Sequence, residues 1–200
     1  MKIAFGIFGF IRIDIFKNEW LKFLEIFKNK DIIIDMYICV PTILNEFDDN
    51  DNVDFEYIKK TLLKEKIINN VYIKEYIYNA NTFIKKSKEY NYVFKTTDHY
   101  LYPYRILSLF SSISNLSNEI IKSNIEYDFI ILSRFDMLSL IKSIGNDIEK
   151  YKKKGSMYCI RNEKSLMFFE DRFTITHKDG LIILSQLLSL IHISEPTRPY

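Results

Sequence analysis

An arginine and a carboxylate stand two residues apart in Ser133-Arg134-Phe135-Asp136, directly after the apolar run Phe129–Leu132. That run mixes aromatic and β-branched residues, the pattern of a strand buried on both faces. In an open α/β sheet, ligands bind just beyond the carboxyl ends of the strands. Arg134 and Asp136 have two uses at such a point: to hold a phosphate and a metal ion, or only each other. A second candidate follows the first apolar stretch, Lys2–Phe8, where Gly9-Phe10-Ile11-Arg12 suits a substrate-facing loop. The glycines at 6 and 9 allow close backbone approach or an unusual turn. Neither GxGxxG nor GxxxxGK[ST] occurs, so the specific dinucleotide and P-loop signatures are absent.

Other polar clusters carry less chemistry. Glu46–Asp54 is rich in oxygen ligands, but it lacks the turn glycine and closing glutamate of a calcium loop and reads as solvated. Asp98-His99 are adjacent, and adjacent loop residues usually point apart. Lys152-Lys153-Lys154-Gly155 reads as a basic, solvated turn rather than a phosphate grip. Cys39 and Cys159 lie in separate apolar runs, form no CxxC, and behave as small buried hydrophobes. A reducing compartment, the cytoplasm, fits them.

Apolar periodicity supplies the elements that must position these groups. Ile106, Phe110, Ile113, Leu116 and Ile120 recur at steps of three or four and predict a helix over Arg105–Glu126, feeding directly into the strand Phe129–Leu132. Helix followed by buried strand is half of a βαβ unit. Phe16, Trp20, Phe23, Leu24 and Phe27 mark an earlier helix over Ile15–Phe27, packed on the sheet. Asp31–Val40 predicts a second buried strand, ended by Pro41. Tyr57–Ile68 reads as a Lys-rich helix, Val71–Ile77 as a strand and Asn79–Lys88 as a helix. Met137–Ile144 is a short helix or extended segment, Ser156–Ile160 a strand and Leu181–Leu187 a helix. The fold class is α/β: a mostly parallel central sheet with helices on both faces.

With 200 residues the chain is long enough for one buried core and too short for two full domains. A net charge of +2 gives no electrostatic case for nucleic acid or an anionic membrane. The opening faintly resembles a signal peptide, but Arg12 follows the short apolar run at once, so it reads as a first strand. No run approaches the roughly 20 apolar residues of a transmembrane helix. At the other end, Leu188–Arg198 (LSLIHISEPTR) resembles a translated transposase adapter from sequencing-library preparation. On that reading 188–200 is foreign, and the natural chain continues past Leu187.

Several pieces, taken in order, resemble a group of small viral, protist and bacterial glycosyltransferase-like proteins with the GT-A fold. These are the Gly9-x-x-Arg12 turn, the helix carrying Trp20, Ser108-Leu109-Phe110-Ser111-Ser112-Ile113, Tyr127-Asp128 before the strand, Arg134-x-Asp136, and Glu170-Asp171-Arg172-Phe173. The resemblance implies that 1–187 is an incomplete, Rossmann-like nucleotide-sugar-binding domain. Its implied activity is transfer of a sugar from a nucleotide-sugar donor to a carbohydrate or other acceptor. Gly9, Arg12 and Arg134 would then meet the donor phosphates, and Asp136 would bind Mn²⁺ or Mg²⁺. Asp171 would be the general base on the acceptor hydroxyl, with Glu170 its alternate. Two departures stand out: Phe10 and Ile11 replace the usual Gln or Pro of the first turn, and Arg-Phe-Asp replaces Asp-x-Asp. One carboxylate fewer weakens the metal site. An inactive nucleotide- or sugar-binding module and an α/β protein-interaction scaffold are the competing expectations.

Overall fold

Seven residues, Lys2–Phe8, form the first strand (β1), and everything from Ile3 to Phe8 is buried. The computed structural model describes residues 1–9, 11, 16–27, 31–43, 54–78, 103–135, 151, 158–159 and 173–186. The other strands are β2 (Ile33–Ile43), β3 (Ile68–Tyr78), β4 (Phe129–Arg134), β5 (Tyr158–Cys159) and β6 (Phe173–Thr176). They make one sheet in the order β3-β2-β1-β4-β6-β5. The first four are mutually parallel, and β6 runs antiparallel to both β4 and β5. The expected mostly parallel α/β sheet is what the chain forms.

Alternation along the strands sorts the core into two layers. Ile3, Phe5, Ile7, Ile34, Met36, Phe129 and Ile131 face one side. There they meet the helical segment α1, residues 16–27, and the helix α2 (Phe55–Leu62). Trp20, Leu24 and Phe27 of α1, with Ile58 and Leu62 of α2, fill this layer. Ala4, Phe8, Tyr37, Cys39, Ile130 and Leu132 face the other side, against α3 (Pro103–Lys122) and α4 (Lys178–Ser185). Ile113, Leu116 and Ile120 of α3, one stripe at helical spacing, close that layer with Leu181 and Leu184. The crossovers β1–β2 and β2–β3 therefore lie on one face and the crossover into β4 on the other. A doubly wound sheet of this kind reverses direction between β1 and β4.

At Gly6, α3 packs close against β1. A Cβ built there would lie 2.8 Å from Leu132 Cδ2 and 2.9 Å from Leu116 Cδ2. Gly6→Val should overpack this contact and cost about 2 kcal/mol, read as a lowered denaturant midpoint. An unchanged midpoint would mean that α3 shifts freely off the sheet.

Four sequence expectations need correction. β2 runs through Pro41 to Ile43 rather than ending before the proline. Its register with β1 stops at Cys39, where β1 ends, while pairing with β3 continues to Ile43. Past Cys39 one side of β2 makes no ladder with β1, and a residue without an N–H is tolerated there. The helix expected over Tyr57–Ile68 is shorter and shifted. Asp54 caps its start, its carboxylate accepting from Tyr57 N–H at 2.9 Å, and Leu63 closes its end. Residues 63–67 then turn, and β3 spans eleven residues from Ile68, longer than Val71–Ile77. The segment 16–27 is helical but of mixed winding, a π turn at Phe16–Trp20, an α turn at Leu21–Leu24 and a 3₁₀ turn at Glu25–Phe27. The expectations for Asn79–Lys88, Asp98-His99, Met137–Ile144 and Lys152–Gly155 lie outside the described residues. No helix among the described residues is long and apolar enough to cross a membrane.

Candidate functional site

Phe8, the last residue of β1, is the register partner of Arg134, the last residue of β4. Phe135 N–H donates to the Phe8 carbonyl at 3.3 Å, extending the pairing one residue beyond the strands. The chain then leaves β1 through Gly9 at φ +98°, a conformation that side-chain-bearing residues rarely adopt. Among the described residues, a Cβ on Gly9 would meet nothing within 4 Å. Glycine is required here by the backbone conformation.

Arg134 is half-buried. Its register row is Ala4–Ile130, Gly6–Leu132, Phe8–Arg134, so it sits on the sheet face that α3 covers. Helix α3 runs opposite to the strands: Tyr76 meets Ser112, whereas Lys74, earlier on β3, meets Glu119, later on α3. The N-terminal end of α3 is thus at the carboxyl rim of the sheet, where a helix carries partial positive charge. Antiparallel β6 also reaches this rim, because its first residue, Phe173, pairs with Ser133.

Of the residues singled out from sequence, Gly9 and Arg134 are brought together at the carboxyl ends of adjacent parallel strands. Arg12, Asp136, Glu170 and Asp171 lie outside the described residues. Asp136 follows Phe135 by one residue, and Asp171 precedes β6 by two. Among the described residues no group of three His, Cys, Asp or Glu side chains is placed to hold a metal ion.

The rim turn is held from the opposite face. Trp20 Nε1 donates to the Phe135 carbonyl at 3.0 Å, and both residues are buried. The indole stacks on the Phe135 ring at 5.4 Å between centroids and 12° between planes, and it meets Phe5 edge-on at 5.5 Å. The sequence marks Trp20 as a core residue of α1 and as part of the family resemblance, but not as a partner of Phe135.

A polar network at the opposite end of the sheet had no counterpart in the sequence reading. Asp35 of β2 is fully buried, yet its carboxylate accepts from Asn69 Nδ2 (2.9 Å), Asn70 Nδ2 (3.0 Å) and the Tyr127 hydroxyl (3.0 Å), and it pairs with Lys2 Nζ at 3.3 Å. Burial pushes its pKa up, but these hydrogen bonds and Lys2 outweigh burial and leave it below the ordinary carboxylate value. The Tyr127 hydroxyl also meets Tyr37 at 2.8 Å, and its own pKa is raised, first by burial and then by Tyr37. The available signal was an aspartate inside the run Ile32–Val40, since a buried charge needs partners.

A groove of about 430 Å³ opens along the β2–β3 flank of α3, lined by Tyr37, Cys39, Tyr72, Lys74, Glu119 and Lys122 among others. Glu119 bridges Lys74 and Lys122 across it, and the hydrogen bond from Lys74 holds its pKa low. Cys39 is a free thiol that burial pushes up to about 12, and it carries no nucleophilic thiolate near neutral pH. The groove sits on the side of the sheet and not at the switch-point rim.

Comparison with protein-family models, with curated proteins and with solved structures found no match to the chain.

Proposed function

We propose that the chain is a GT-A-type glycosyltransferase that binds a nucleotide sugar between the carboxyl ends of β1 and β4. The observation that carries the reading is the adjacency of the Phe8–Gly9 exit and Arg134 where the winding reverses. As the bond from the sugar to the diphosphate breaks, negative charge grows on the leaving phosphate oxygen. Arg134 is suited to stabilise it through charge-assisted hydrogen bonds, and the N-terminal end of α3 adds favourable potential at the same rim. Gly9 brings no side chain to the turn, which suits close approach of a phosphate to the backbone. Arg12 is the second proposed phosphate contact. Asp171, or Glu170 in its place, takes the proton from the acceptor hydroxyl. Mn²⁺ or Mg²⁺, where bound, supplies further neutralisation of the diphosphate, with Asp136 the proposed ligand.

Thermal shift with a set of nucleotide sugars, with and without Mn²⁺, tests this directly. A ligand at one hundred times its Kd stabilises the folded state by about 2.7 kcal/mol, enough to move Tm by several degrees. We expect at least one nucleotide sugar to raise Tm in the presence of Mn²⁺, and Asp136→Ala to remove the metal-dependent part. A shift without donor hydrolysis or transfer makes the chain a nucleotide-sugar-binding module. No shift with any donor sinks both ligand-based readings and leaves the protein-interaction scaffold.

A further inference from the structure

The turn that follows β4 is fixed by a contact spanning 115 residues of sequence, from Trp20 to Phe135. A buried carbonyl needs a donor. At Phe135 the indole N–H supplies one at 3.0 Å, while the Phe135 N–H is itself engaged by Phe8. Both backbone polar atoms of the residue between Arg134 and Asp136 are therefore held, one by the neighbouring strand and one by α1. The indole plane lies nearly parallel to the Phe135 ring, so rotation about this peptide would break the stack together with the hydrogen bond. On its other side Trp20 is wedged against Phe5 of β1. One side chain thus ties together the two strands whose ends form the proposed site. It does so from the face opposite the one on which Arg134 sits.

We infer that Trp20 is a positioning residue for the ligand site, fixing the end of β4 that carries Arg134. The inference rests on the nucleotide-sugar reading. Packing a core ring requires no N–H, since Phe16 and Phe27 fill the same layer without one. The indole hydrogen bond to a carbonyl at the site is what a purely space-filling role leaves unexplained. A direction error of a fraction of an ångström at a phosphate contact weakens binding far more than it weakens folding.

The test uses UDP and GDP, each with Mn²⁺, titrated calorimetrically against the full chain. Trp20→Phe keeps an aromatic ring and removes the donor. Leu24→Val, in the same helical segment and equally buried, serves as a packing control. The expected result is a Kd for the tighter nucleotide weakened about ten-fold in Trp20→Phe and unchanged in Leu24→Val, although both lower Tm. Trp20 is the chain's single tryptophan, so nucleotide binding to the wild type should also shift its fluorescence emission. Should Trp20→Phe fail to fold, Phe135→Leu asks the same question from the turn, and a similar loss of affinity is expected. Wild type and Trp20→Phe (or Phe135→Leu) binding equally tightly would overturn the positioning role while leaving the function standing. A wild type that binds neither nucleotide overturns both.

Discussion

Asp35→Ala should lower stability by about 3 kcal/mol, a fall in Tm of about 6–12 °C for a chain of this size. The carboxylate is fully buried and four groups converge on it, so truncation strands Asn69, Asn70 and Tyr127 without their acceptor. Lys2 is partly exposed and can return to water, which keeps the cost at the lower end for a broken buried pair. The same network ties the starts of β1 and β4 to β2 and β3, since the Asp128 side chain accepts from the Lys2 backbone N–H at 2.7 Å. Loss of Asp35 should therefore raise amide exchange in the first residues of β1 and β3 before it is felt at the carboxyl rim.

The protonation of Asp35 gives this prediction a pH signature. Its folded-state pKa is depressed, so its contribution is fully present above the unfolded value of about 3.9 and is lost as pH falls through the folded one. Asp35→Asn, which cannot ionise, should lack this dependence. The stability difference between wild type and Asp35→Asn should be largest near neutral pH and shrink as pH drops below about 4. Denaturant melts across that range measure it, and a constant difference would show that the charge contributes nothing.

What the sequence made legible follows from how local each signal is. β1, β4 and α3 declare themselves because apolar residues recur at the periods of buried strands and helices, and Ile113, Leu116 and Ile120 are buried as their spacing demands. The run of β2 past Pro41 was hidden, because whether a proline is tolerated depends on how far the neighbouring strand reaches. The reversed direction of β6 was equally hidden, since Phe-Thr-Ile-Thr carries no mark of orientation. At the candidate site, the exits of β1 and β4 could be read from glycine and from abrupt ends of apolar runs. That Trp20 reaches the carbonyl between Arg134 and Asp136 depends on a contact more than a hundred residues away in sequence. Asp35 was legible in principle, as a charge inside an apolar run, but its partners come from three other segments.

On the proposed function, Arg134→Ala should weaken nucleotide-sugar binding about 10- to 100-fold, the loss of a charge-assisted hydrogen bond to phosphate of about 1.5–3 kcal/mol. Tm without ligand, measured on the same variant, separates the loss of any contact Arg134 makes within the fold from the loss of binding. Arg134→Lys separates charge from geometry. A lysine retains the cation but loses the planar fork that engages two phosphate oxygens together, so partial recovery is expected. Titrations at low and moderate salt sharpen the result, since binding that relies on this cation must weaken as salt screens it. If Arg134→Ala binds as tightly as wild type while the donor still shifts Tm, the guanidinium serves the strand end alone. On the proposed function another residue would then have to make the phosphate contact, and Arg12 is the next candidate for substitution.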